Sequence, residues 1–170
     1  MSGLDQIQLS FHAGEDRLLL RVSTTGGEEF RCWLTRRFVK ALQPALRQAL
    51  ATRPLVKVPA NTSVREALLD FEREAAVVGS DFSTPFRDAA RALPLGAQPL
   101  VLTRCQLRAQ PDGGLLLALA PDQGQGLDLA LAPKLLHSFM ALLERTVEAA
   151  DWTLPAAPAS TVPQTPAALN

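Results

Sequence analysis

RLLLRVS (residues 17–23), TTGGEE (24–29), FRCWLT (30–35) and RRFVKALQPALRQAL (36–50) read as strand, turn, strand and helix. The same order returns 97 positions later as GLLLALA (114–120), PDQGQG (121–126), LDLALA (127–132) and PKLLHSFMALLERTV (133–147). Leu18, Leu20 and Val22 share one strand face, and Phe30, Cys32 and Leu34 share another, the period of two expected when one side of a sheet is buried. The glycines of each turn supply the positive φ that tight hairpins need. The inference of a doubling rests on this order of elements and turns, because most of the identities between the two stretches are leucines in a leucine-rich chain.

Working outward, Ile7, Leu9 and Phe11 alternate with Gln8, Ser10 and His12. They add a strand before the first hairpin, and VLTRCQLRAQ (101–110) does so before the second, with a one-residue adjustment that brings Leu9 near Leu107. Thr35 is placed to cap the first helix and Pro133 to open the last. Pro44 removes a backbone donor inside the first helix, and a kink or interruption near Gln43 is expected. The small residues Ala118, Ala120 and Ala130 predict more deeply covered strands in the second unit.

Between the units, Ser63 and Glu66 form a capping box. It opens a helix whose stripe of Val64, Ala67, Leu68, Phe71, Ala75 and Val78 is expected to face the core, with Gly79 as its stop. Arg65, Asp70, Glu72, Arg73 and Glu74 are then left for a solvated face. Thr84 and Pro85 predict a second short helix ending before Pro94. The fold class is therefore α+β: two pseudo-repeated β-β-β-α units (4–57 and 98–152), antiparallel sheet or sheets with helices packed on one side, and two bridging helices (61–93). These make a single domain over 1–152. Residues 153–170, rich in proline and alanine and free of charge, predict a flexible tail.

Hydrophobic residues make up 47 % and charged residues 20 %, the balance of a folded globular chain. Net charge is zero, but residues 1–57 carry nine basic and five acidic side chains, so a basic face on the first unit is available. No apolar run approaches the ~20 residues that span a bilayer, and the N-terminus lacks the pattern of a secretory signal. A cytoplasmic protein with two reduced cysteines, Cys32 and Cys105, is expected.

No catalytic, cofactor or metal motif stands on this scaffold. His12 and His137 lack metal-ligand spacing, and the glycine-rich turns lie between strands, not between a strand and a helix as a phosphate loop requires. The candidate surface is Arg21, Arg31, Trp33, Arg36, Arg37 and Lys40, with Arg47 and Arg53 nearby in sequence. An exposed indole flanked by guanidiniums suits an interface core with a charged rim. It also suits single-stranded nucleic acid, where bases stack on the ring and phosphates are neutralised around it. In element order the chain resembles the Whirly and PUR-repeat single-strand binders, a resemblance that implies single-stranded nucleic-acid binding, here by the basic, Trp33-bearing sheet face of the first unit alone. The second unit has Ala118, Asp128 and Ala130 where Arg21, Arg31 and Trp33 stand, which weakens that implication. The expectation is a non-enzymatic protein-interaction or assembly module without cofactors, self-associating as a homodimer. The single-stranded nucleic-acid binder is the alternative.

Overall fold

The computed structural model describes residues 3–52, 62–82, 84–89 and 91–153. The order is β1 (Leu4–His12), β2 (Arg17–Thr24), β3 (Glu29–Thr35), α1 (Arg36–Thr52), α2 (Thr62–Val78), β4 (Leu100–Val101), β5 (Arg104–Ala109), β6 (Leu115–Ala120), β7 (Leu127–Leu131) and α3 (Pro133–Ala149). The class is α+β. One sheet has the order β1-β2-β3-β4, the other β5-β6-β7.

Both meanders are antiparallel, as short turns require. Leu18, Leu20 and Val22 pair with Leu34, Cys32 and Phe30 in the first hairpin, and Leu115, Leu117 and Leu119 pair with Leu131, Leu129 and Leu127 in the second. Across the outer strands Leu9 faces Leu20, and Leu107 faces Leu117. The alternating leucines of the two sheets join Phe38, Val39, Leu42 and Leu46 of α1 and Leu136, Phe139 and Leu143 of α3 in one core. The helices are shared between sheets: α1 touches β5 as well as β3, and α3 touches β1 as well as β7.

Thr35 caps α1 as expected, its Oγ1 accepting from the Phe38 N–H at 3.2 Å. The expected interruption at Pro44 is absent; α1 runs unbroken from Arg36 to Thr52, held by the burial of Leu42, Gln43 and Leu46 on either side. The outer face of the second sheet is not more deeply covered, since Asp128 and Ala130 are exposed and Ala118 and Ala120 half-buried.

Two further expectations are corrected. VLTRCQLRAQ is not one strand, because Leu100 and Val101 pair in parallel with Cys32 and Trp33 before the chain crosses to the second sheet at Arg104. The second bridging helix does not form either: the described residues from Asp81 to Leu93 hold no helix, only a bend at Thr84 and a bridge at Ala92. Asp81 takes the Thr84 N–H and hydroxyl into a local turn. Ala92 then pairs with β3's leading edge, its N–H donating to Gly27 O and its carbonyl accepting from Glu29 N. Bonds to a sheet edge outcompete a one-proline helix start whose own hydrogen bonds are all local. Residues 53–61 and the tail from 154 onward, Arg53 included, lie outside the described residues.

Cys32 and Cys105 are both free and buried, and burial pushes each thiol up to about 12. With so little thiolate at neutral pH, a thiol reagent is expected to titrate neither cysteine in the native chain and both in denaturant. Rapid native labelling of either would contradict this packing.

Candidate functional site

The six residues of the basic candidate surface fall into two groups. Arg21 and Arg31 stand directly opposite each other on β2 and β3, where two like charges repel unless something lies between them. Glu29 does: its Oε1 accepts from Arg31 Nε at 2.7 Å and from Arg21 Nε at 2.9 Å, with its side chain only 2 % exposed. Burial alone would push the Glu29 carboxyl up, but the hydrogen bonds and charges of Arg31 and Arg21 outweigh it, so the group sits below its usual range.

Residues of the irregular segment after α2 seal this cluster. The Phe86 ring is buried and lies 4.1 Å from the Arg21 guanidinium, and Asp88 accepts from Arg21 at 2.6 Å. Arg87 reaches Asp5 at 2.8 Å and also Gln6 on β1. Arg21, with a side chain 15 % exposed, is therefore a structural cation under a strap.

Trp33 is half-buried. It sits in a row that crosses all four strands of the first sheet, Ser10–Leu19–Trp33–Val101, with the His12 ring edge-on at 5.2 Å. Arg36 donates to the Thr153 carbonyl at 3.4 Å. Arg37 and Lys40 are exposed and, among the described residues, make no hydrogen bond or ion pair. Arg37 shares a depression of about 220 Å³ with Thr35, Val101 and Thr103.

The larger departure from expectation is α2, which is turned over. Its polar side packs on α3: Arg73 donates to Glu144 at 3.2 Å, Glu72 lies 3.6 Å from the His137 ring, and Ala76 is buried. Beyond the helix end, Ser80 and Ser138 share a hydrogen bond. The cause lies in α3, whose Leu136, Phe139, Met140, Leu143 and Val147 are already committed to the core, so it offers α2 a polar flank. Glu144 takes Arg47 of α1 on one oxygen and Arg73 of α2 on the other.

As a consequence, the apolar stripe of α2 faces solvent. Val64 is 48 %, Phe71 66 % and Val78 87 % exposed, three of the four large exposed hydrophobics among the described residues. Ala67 and Ala75 are exposed between them and Leu68 is half-buried. The amphipathic pattern was visible in the sequence. Its outward direction was not, because nothing local tells a stripe aimed at its own core from one aimed at another molecule.

Among the described residues, no group of three His, Cys, Asp or Glu side chains is arranged to hold a metal, and no helix is long and apolar enough to cross a membrane. Comparison with family models, with curated proteins and with solved structures returned no match.

Proposed function

We propose that this protein is a non-enzymatic protein-interaction or assembly module, a doubled β-β-β-α scaffold whose docking element is α2, inserted between the copies. Several features support the doubling. The two hairpins share one register at an offset of 97, and the left-handed residues Asp16 and Gly27 recur at that offset as Gly113 and Gly124. α1 and α3 each have 17 residues, and Arg47 bonds Glu144, its counterpart 97 positions on. In such a scaffold each half covers the other's apolar surface. α2 has no counterpart, and its stripe is left uncovered.

The observation that carries the reading is the outward placement of Val64, Phe71 and Val78 on one line seven residues apart. A contiguous apolar face of this kind on a folded protein marks a contact site. Phe71→Glu should leave the fold intact, since exposed substitutions usually change stability by no more than about 0.5 kcal/mol. Affinity purification from the source cells, comparing wild type, Phe71→Glu and the control Arg37→Glu/Lys40→Glu, should show a partner lost with Phe71→Glu alone. An identical set of captured proteins for wild type and Phe71→Glu would overturn the proposal.

The single-stranded nucleic-acid reading keeps one supporting observation: among the described residues Arg37 and Lys40 are exposed and unpaired, and Arg37 lies beside Val101, the neighbour of Trp33 in the sheet. It loses Arg21 and Arg31 to Glu29, which leaves few cations to neutralise phosphates. Loss of binding in the Arg37→Glu/Lys40→Glu control, with Phe71→Glu unaffected, is the result that would favour it.

A further inference from the structure

We infer that the occupant of the α2 face is an amphipathic helix with a basic border from a different protein. This inference rests on the docking role just proposed for α2. Beside the stripe, Glu66, Asp70 and Glu74 recur every four residues and so form a row along one edge of it. All three are exposed and, among the described residues, have no hydrogen bond or ion pair. The basic residues of the same helix are turned elsewhere: Arg65 donates to the Ala51 carbonyl of α1 at 2.9 Å and Arg73 to Glu144. Arg73 borders Asp70 and Glu74 but its charge is taken by Glu144, so the exposed half of α2 is an apolar line whose margin carries only acidic unpaired charges among the described residues.

That margin discriminates among occupants. The stripe reads nearly the same in both directions about Phe71, with Val64 mirrored by Val78 and Ala67 by Ala75, so its apolar residues would suit an antiparallel second copy. Such a copy, related by a twofold axis, sets its own Asp70 and Glu74 along the same edge, and like charges there oppose the pairing. Two heptads also fall short of the three to four that a self-sufficient coiled coil sustains. An anionic membrane or a nucleic acid meets the same repulsion. A helix with Lys or Arg along one border meets neither obstacle. A groove or face for an amphipathic helix is read through anchors at i, i+4 and i+7, the spacing of Val64, Leu68 and Phe71. At 1.5 Å per residue the 17-residue helix offers roughly 25 Å of contact.

The test uses the full chain and two fluorescein-labelled helical peptides with the same leucine stripe, one bordered by lysine and one by glutamate. Fluorescence polarisation should show the lysine peptide binding wild type at least about tenfold more tightly than the glutamate peptide, with salt narrowing the gap. Glu66→Lys/Asp70→Lys/Glu74→Lys should reverse the preference, and Phe71→Glu or the milder Phe71→Ala should weaken both peptides. Equal binding of the two peptides by wild type, still lost with Phe71→Glu, would overturn the basic partner and leave the docking face standing. No binding of either peptide, or binding indifferent to Phe71, would overturn both. A dimer seen by sedimentation and lost in Phe71→Glu would make a second copy the occupant and overturn this inference alone.

Discussion

Trp152→Ala is expected to remove roughly 3–5 kcal/mol of stability, the range for truncating a buried Trp or Phe. At about 2–4 °C per kcal/mol for a chain of this size, the melting temperature should fall by on the order of 10 °C. Trp152 follows α3 yet is only 6 % exposed. Its indole Nε1 donates to Asp16 Oδ1 at 2.8 Å, its ring meets Phe11 edge-on at 6.0 Å, and its own N–H donates to Val147. It therefore fastens the end of the second half to the first turn of the first half. Asp16 holds a left-handed φ of 47° there, a conformation Asp tolerates better than most residues. Trp152→Phe keeps much of the apolar contact and loses the hydrogen bond, so it should cost clearly less than the alanine variant. In a urea double-mutant cycle with Asp16→Asn, which preserves an acceptor oxygen, Trp152→Ala should show little coupling. With Asp16→Ala the coupling should approach the ~1 kcal/mol of one hydrogen bond, here a half-buried one. A Trp152→Ala midpoint equal to wild type would refute the docking of this end.

The fastening explains why some of the fold is legible in the chain and some is not. Strands β1 to β3, β6 and β7, and the helices α1 and α3 follow from alternation, paired turn glycines and end signals, all of which act within a few residues. The Asp16–Trp152 contact spans 136 positions, and nothing around either residue announces it. The described residues between Asp81 and Leu93 fail to form a helix for a related reason. Their local capping signal is real, but Phe86 gains burial over Arg21, and Ala92 gains two backbone bonds to the sheet edge. A short helix has few internal bonds to set against those gains.

The candidate surface divides in the same way. Arg21 and Arg31 looked like a cationic pair beside Trp33 because residues sharing a strand face can be read from the two-residue period. The period also put Glu29 on that face, two residues before Arg31, and this was the available signal that the charges are mutually satisfied. For α2 the pattern identified which residues need cover, while its orientation depended on how much of α3 the two sheets had already consumed.

Glu29→Gln should cost the fold close to the lower end of the roughly 3–5 kcal/mol seen when one member of a buried charge pair is removed. The low end applies because Arg31 retains 32 % side-chain exposure and water softens its loss. Glutamine keeps one acceptor oxygen but no charge, so Arg31 loses its carboxylate while facing Arg21 across the β2–β3 pair, and Arg21 is left with Asp88 alone. The cost must also depend on pH. Burial raises and the two guanidiniums lower the Glu29 carboxyl, and the net shift is downward. Its contribution is therefore complete above the ordinary glutamate value of about 4.3 and disappears as pH falls through the lower value of the folded state. Protonated Glu29 resembles glutamine, so the stability gap between wild type and Glu29→Gln should hold its full size from about pH 7 down to about 4.3 and close progressively as pH falls below that. Denaturant titrations of both proteins across that interval measure the gap directly. A gap that stays constant with pH would mean that the charge of Glu29 contributes nothing, and that Arg21 and Arg31 are held by the strap alone.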